Sequence, residues 1–369
     1  MILKTDKSKS SRSVELDILR IIATMLVVLG HCYFYTLSGG LDGGIDYFSL
    51  LNQSDLNDTI IHKSMGLFSN LIYSCHMALF FFLSGIIYGV CRNKNKYTRL
   101  KDLIIDKAKR LIVPYFFVSL FFSVPVLFFT GYFGEGDYIH KILVGYLLGY
   151  GKNHLWFVVV LFYIFIILWI LDKYISGFVF KSFIIFSMLI CSKFVLIDFL
   201  YIGKAFQYII WFYFGYVFNS YRTLFNNMIC IYKYKLVIGV LGMWIVMFFI
   251  GRRLFEVWVI GYFVTFLGIV FFYSISILIA QKYGSIFIEK GILRIINKYT
   301  FEIYLYGTPI NYIVLSVIVN TIGVPALSSE IGSAFIIVLR LVFQILIPIT
   351  LAVIVDRVKL LVYKKRIRG

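Results

Sequence analysis

Three histidines and one polar stripe are the groups in this chain best placed to do chemistry. The first apolar stretch opens with Glu15-Leu16-Asp17-Ile18-Leu19-Arg20-Ile21 and ends at Gly30-His31. Arg20 and His31 are eleven residues apart. At about 100° per residue that is about three whole turns, so a helix carries both on one face. Asp17 and Thr24 extend the stripe at i, i+3 and i+4 spacings. The rise from Arg20 to His31 is about 16 Å, half the hydrocarbon thickness of a bilayer. Arg20 is therefore expected at one membrane edge and His31 at or just beyond the middle. A cation at the entrance suits a charged donor, and a buried imidazole suits proton transfer or a brief covalent relay. The bland alternatives are an arginine snorkelling to lipid phosphate and a satisfied core histidine.

Other polar groups fall in later apolar stretches, where each is a candidate because an ionisable side chain there is costly. The second stretch runs Ser74-Cys75-His76-Met77-Ala78-Leu79-Phe80-Phe81-Phe82-Leu83-Ser84-Gly85. His76 is expected at the depth of His31, where it would position His31 or polarise a carbonyl, or serve only as glue between helices. Ser84-Gly85 reads by itself as close helix packing. Cys32 and Cys75 adjoin the two histidines, but Cys32 points about 100° away from His31, and a buried cysteine is usually a small hydrophobe. Lys107, Lys109 and Arg110 precede Pro114-Tyr115 and either grip phosphates or only mark topology. His154 and Trp156 open the fourth stretch, with Trp156 suited to the interface. Arg252 and Arg253 sit in a short turn before Glu256, to bind a polar acceptor or to pair with that carboxylate. Glu302 and Arg340 lie within the last two stretches and would pair with each other or with Arg20.

The elements that must carry these groups follow from composition. The chain has 369 residues, 61% hydrophobic and only 15% charged, with mean hydropathy +0.89. Soluble proteins are about 45–50% apolar and about 25% charged, so a soluble enzyme is excluded, as is disorder. Long apolar runs recur throughout, which excludes a single anchor and a membrane β-barrel. The expected class is an all-α polytopic membrane protein of about ten transmembrane helices, near 18–38, 66–90, 111–131, 154–171, 178–197, 201–218, 236–250, 257–280, 299–320 and 334–355. Ile142–Tyr150 is too short to cross and reads as an interfacial or re-entrant helix. The outer loop at 39–65 is Gly-, Asp- and Asn-rich, and the first apolar stretch is too long for a cleavable signal.

With both termini cytoplasmic, the inner segments carry 27 of the 36 Lys and Arg residues and the outer ones seven, with Arg20 and Arg340 inside spans. That asymmetry supports the orientation. It also accounts for the net charge of +18 without nucleic acid, since basic inner loops fix topology and meet anionic lipid. The five cysteines have no CxxC spacing, so neither a metal site nor a disulfide framework is expected. The domain reading is a basic tail at 1–17, a membrane domain at 18–355 and a basic tail at 356–369.

Taken together, these residues resemble the acyltransferase 3 family of bacterial inner-membrane acyltransferases. Asp17, Arg20 and His31 match its first-span signature, and Phe80-Phe81-Phe82-Leu83-Ser84-Gly85 its second-span motif. Lys109-Arg110 through Pro114-Tyr115, His154-Leu155-Trp156-Phe157 and Trp211-Phe212-Tyr213-Phe214-Gly215 match later landmarks in order. Gly30-His31 and His76-Met77-Ala78-Leu79 are similar to the fucose 4-O-acetylase-like, surface-polysaccharide O-acetyltransferase branch. One departure is Gly307, where the family often has a histidine after Ile303-Tyr304-Leu305. The resemblance implies a cytoplasmic-membrane enzyme that moves an acyl group, usually acetyl from acetyl-CoA, to a hydroxyl of a capsule, exopolysaccharide or lipid-linked glycan. It implies catalysis by His31 with Asp17, Arg20 and His76. Acyl-CoA would be held by Arg20, Lys107, Arg110, Ser84 and Gly85. The acceptor would meet His154, Trp156, Arg252 and Arg253. A transporter or flippase of a lipid-linked sugar is the competing reading, and a membrane sensor or scaffold a third.

Overall fold

The computed structural model describes residues 13–368 except 38–43, 54–57, 152, 195–198 and 254–257. The protein is an all-α polytopic membrane protein. Helix α1 (Val14–Cys32) leads to two paired two-residue strands, β1 (Thr36–Leu37) and β2 (Ile45–Asp46), and to α2 (Tyr47–Gln53). Helices α3 (Ile60–Tyr73) and α4 (His76–Asn93) follow. Next come α5 (Leu100–Phe129) and a short helical turn at 138–147. The remaining long helical segments are α6 (Trp156–Tyr174), α7 (Phe178–Cys191), α8 (Ile202–Arg253), α9 (Trp258–Tyr283), α10 (Thr300–Ile322) and α11 (Glu330–Arg368). Seven of the described helical segments are long and apolar enough to cross a membrane. Helix α1 carries Glu15, Asp17 and Arg20 within its first two turns.

Four expectations change in detail. The stretch 66–90 is two helices: the chain breaks at Ser74-Cys75, where the Ser74 hydroxyl donates to the Leu71 carbonyl at 2.6 Å and Thr265 of α9 donates to the Ser74 carbonyl at 2.7 Å. Local side-chain bonding of this kind competes with the helical ladder. The stretch 39–65 is not a plain loop, since its described part holds β2, α2 and the start of α3. The spans at 201–218 and 236–250 are two helices of α8 that meet at a sharp turn at Lys233, φ 43° and ψ −124°; what differs is that the residues joining them, up to that turn, are helical as well. Ile142–Tyr150 becomes a wide π-type turn over Lys141–Leu147. Two more such turns, Ala108–Ile112 and Ser119–Ser123, lie in α5 just ahead of Pro114 and Pro125. Proline offers no N–H to the preceding turn, and a widened turn accommodates its ring.

The Phe-rich Ser84-Gly85 motif and the Trp211–Gly215 motif are two halves of one helix crossing. A Cβ at Gly85 would lie 1.9 Å from the Phe212 carbonyl oxygen, and one at Gly215 would lie 2.0 Å from the Phe82 carbonyl oxygen. Only glycine lets α4 and α8 approach so closely, as small residues do generally between membrane helices. Phe82 and Phe214 stack beside the crossing at 5.1 Å. Where α4 and α6 end and α7 begins, Asp172, its side chain 3% exposed, takes Lys181 at 2.6 Å and Arg92 at 3.6 Å.

Candidate active site

His31, His76 and His154 line one cavity of about 630 Å³, together with Trp156. His31 lies in the last turn of α1, and Gly30 before it is what admits Tyr73 alongside: a Cβ there would meet the Tyr73 ring at 2.7 Å. The Tyr73 hydroxyl stands 3.5 Å from His31 Nδ1, and its ring meets His76 edge-on at 4.5 Å. His76 donates from Nδ1 to the Ile72 carbonyl at 3.2 Å, at the break between α3 and α4. Among the described residues, no hydrogen bond engages Nε2 of His31 or of His76.

His154 differs, because both its nitrogens are engaged. Nε2 donates to the Leu305 carbonyl at 3.0 Å, and Nδ1 accepts from the Tyr146 hydroxyl at 3.2 Å. The Leu305 carbonyl is open to it because the residue four further on is Pro309, which has no N–H to return. Asn153 shapes the turn: its Oδ1 accepts from the Leu155 N–H at 2.8 Å and its amide donates to the Tyr146 carbonyl at 3.0 Å. His154 is thus a fixed wall with no nitrogen left over. Helix α10 supplies a second wall from Tyr304, Thr308 and Tyr312, spaced four apart on one face. Lys204 lines the cavity too, with its ammonium 5.0 Å from the Trp156 ring.

Behind His31 lies a group whose partners differ from the expected ones. Arg340 of α11 is 0% exposed and pairs with neither Glu302 nor Arg20. Its Nε donates to Asn311 Oδ1 at 2.6 Å, and its Nη2 donates to the carbonyls of His31 at 3.0 Å and Phe34 at 2.7 Å. Asn311 Nδ2 adds a bond to the His31 carbonyl at 2.8 Å. A helix ends with carbonyls that lack partners and carry partial negative charge, so a cation is favoured there. Arg340 and Asn311 cap α1 where His31 is mounted. Gln344, one turn along α11, fills the space beside Gly307, where a Cβ would come within 3.0 Å of it.

The other sequence-derived residues lie elsewhere. Arg20, Lys107, Arg110, Ser84 and Gly85 do not line the histidine cavity. Arg20 pairs with Asp17 at 3.2 Å on α1 itself, and Thr24 donates to the Arg20 carbonyl at 2.9 Å. Lys107 lies 4.0 Å over the Phe165 ring, and Arg110 is bound to Asp106 at 3.1 Å. Gly85 is covered by the backbone of α8. Cys32 and Cys75 are buried outside the cavity; Cys32 Sγ donates to the Val28 carbonyl at 3.2 Å. Arg252 lines a second cavity nearby, whereas Arg253 lines neither. Glu256, their expected partner, is outside the described residues. Among the described residues, no group of three His, Cys, Asp or Glu side chains is placed to hold a metal ion.

Several wall residues had no distinctive sequence signal. Tyr73, Tyr304 and Tyr312 are three tyrosines among 28, and Asn311 is one of two asparagines inside an apolar stretch. Pro309 was the available clue, since a proline inside a membrane helix marks a freed carbonyl.

A family model described as an acyltransferase domain matches residues 13–355. No curated protein and no solved structure matches the chain.

Proposed function

Because the chain belongs to the acyltransferase 3 family of membrane acyltransferases, we propose that it moves an acetyl group from cytosolic acetyl-CoA to a hydroxyl of a cell-envelope glycan. We assign it to the surface-polysaccharide O-acetyltransferase branch of bacterial cytoplasmic membranes, with both termini inside. The observation that carries this reading is His31. It lines a polar-walled cavity, has Nε2 uncommitted, and shares its helix with Arg20.

The chemistry runs as follows. The imidazole holds its proton on Nδ1 and donates it to the Tyr73 hydroxyl oxygen, which leaves the Nε2 lone pair as base. As the acceptor hydroxyl attacks the thioester carbonyl, Nε2 takes its proton. The C–S bond then breaks, the CoA sulfur leaves with the proton returned by the imidazolium, and an O-acyl ester remains. His76 offers a second uncommitted nitrogen beside the reacting carbonyl. Arg20, held by Asp17, grips the donor's phosphates at the inner mouth about 16 Å along the helix from His31, a span for the extended arm of CoA. Lys107 and Arg110 supply further inner charge to the donor. His154 and Trp156 shape the acceptor side, and Arg252 and Arg253 hold it from the rim.

The test is acetyl transfer by purified protein in lipid. A positioned base contributes about 10²–10⁴-fold, and His31→Gln keeps hydrogen bonding without useful basicity. That variant should insert and accumulate normally and lose transfer by at least this factor. Near-normal transfer by His31→Gln would make His31 structural and move the chemistry to His76.

A further inference from the structure

A second cavity, of about 390 Å³, adjoins the histidine cavity, and Tyr73, Met77 and Tyr208 line both. Its walls are aromatic: Trp211 and Tyr262 stack at 5.7 Å with planes 16° apart, and Trp258 meets Tyr262 edge-on at 5.8 Å. Lys193 and Arg252 stand at its edge. The Lys193 ammonium lies 5.8 Å from the Trp258 ring, and the Arg252 guanidinium 5.9 Å from the Phe248 ring. Among the described residues, Lys193, Arg252 and Lys204 are the only Lys, Arg, Asp or Glu lining either cavity, and all three are cations.

This placement is unusual for the chain. The proposed orientation puts 27 of 36 Lys and Arg residues on the inner side and only seven on the outer. Three of those seven line these two neighbouring cavities. Orientation in the membrane disfavours cations there, so their concentration calls for an anionic ligand. Flat aromatic faces suit the apolar faces of sugar rings, and a Lys–Arg pair suits a carboxylate or phosphate.

We infer that the second cavity is the acceptor subsite and that it selects a saccharide carrying a negative charge, stacked on Trp258 and Trp211 with its anion between Lys193 and Arg252. The acceptor hydroxyl then passes the Tyr73, Met77 and Tyr208 partition to reach His31. This rests on the glycan acyltransferase reading and adds a charge requirement to it. The anion belongs either to an acidic sugar or to the diphosphate of a lipid carrier.

Binding is measured without turnover, on protein in phosphatidylcholine nanodiscs, for wild type and the Lys193→Gln/Arg252→Gln double variant. The probes are oligogalacturonate, its methyl ester, and a neutral sugar on a polyprenyl diphosphate. At least one anionic probe should bind about tenfold more tightly than the neutral ester, and the double variant should lose that preference. The preference should also fade as salt rises. Oligogalacturonate selectivity assigns the anion to the sugar, and selectivity for the polyprenyl diphosphate alone assigns it to the carrier. Both side chains are exposed, and melting temperature checks that the double variant is folded. Equal binding of all three probes overturns the inference, as does a preference that survives in the double variant. Acetyl transfer is followed in parallel. Equal transfer to charged and neutral acceptors keeps the acyltransferase reading and overturns the subsite. Charge-selective binding with no transfer to any glycan overturns the glycan reading instead.

Discussion

Replacing Arg340 by methionine tests whether the cap on α1 sets the position of His31. Methionine fills similar space and removes the charge. It leaves the Phe34 carbonyl and Asn311 Oδ1 without the donors now at 2.7 and 2.6 Å, whereas the His31 carbonyl keeps Asn311 Nδ2 at 2.8 Å. A buried acceptor stripped of its donor costs about 1–3 kcal/mol, so two cost about 2–6 kcal/mol. Removing a buried guanidinium also returns its desolvation penalty, which offsets part of this. The expected net loss is about 2–4 kcal/mol, with a lowered melting temperature in detergent. The effect on chemistry should be larger than stability alone requires. A displacement of about 1 Å at a catalytic group costs about 10²-fold, and acetyl transfer by the folded fraction should fall by that order. Arg340→Lys keeps the charge but loses the planar fork whose Nε holds Asn311 while its Nη2 holds two carbonyls. It should melt nearer to wild type and still transfer poorly. Wild-type transfer by a stably folded Arg340→Met protein would refute the argument and reduce Arg340 to a packing residue.

The α4–α8 crossing is expected to tolerate no side chain: Gly85→Ala and Gly215→Ala each drive a Cβ to about 2 Å from a carbonyl oxygen. Overpacking of this kind costs about 1–3 kcal/mol or more. Gly239→Ala and Gly242→Ala, which meet nothing within 4 Å, should leave thermal stability and yield unchanged. Arg20→Ala should weaken acetyl-CoA binding in a titration, and Arg20→Lys should restore part of it; unchanged binding in Arg20→Ala would remove Arg20 from the donor site. Reporter fusions after Gly136 should read outside and after Lys96 inside. An outside signal at Lys96 would overturn the orientation drawn from the basic residues.

What could be read from the sequence was periodic or local. The helical class followed from long apolar runs, and the spacing of Asp17, Arg20 and His31 placed them along one helix. His76 was expected at the depth of His31, and both line one cavity. The rest depended on contacts that residue types do not announce. Arg340 was conspicuous as a charge inside a span, but two of its three partners are backbone carbonyls, which every residue has. Asn311 gains meaning only once α10 and α11 lie beside α1. Ser84-Gly85 allowed two readings, and the carbonyl of Phe212 pressed on Gly85 shows what that glycine packs against. The break at Ser74-Cys75 was hidden because neither glycine nor proline marks it, and the polar Ser74 and His76 read equally well as groups inside one continuous helix. The residues proposed for the donor, Arg20, Lys107 and Arg110, stay spread over α1 and α5, as they were in the sequence.

The cap on α1 also has a consequence in time. His31 and Arg340 meet across 309 residues of sequence. A ribosome adds about 5–20 residues per second, so Arg340 emerges roughly 15–60 s after the histidine it holds. Throughout that interval α1 sits in the membrane with its carbonyl end unserved by the guanidinium, and for most of it the wall from α10 does not yet exist. A nascent chain therefore carries the imidazole long before it has the enclosure around it. A ribosome that stalls before α11 releases a protein with the histidine in place and no arginine to hold it.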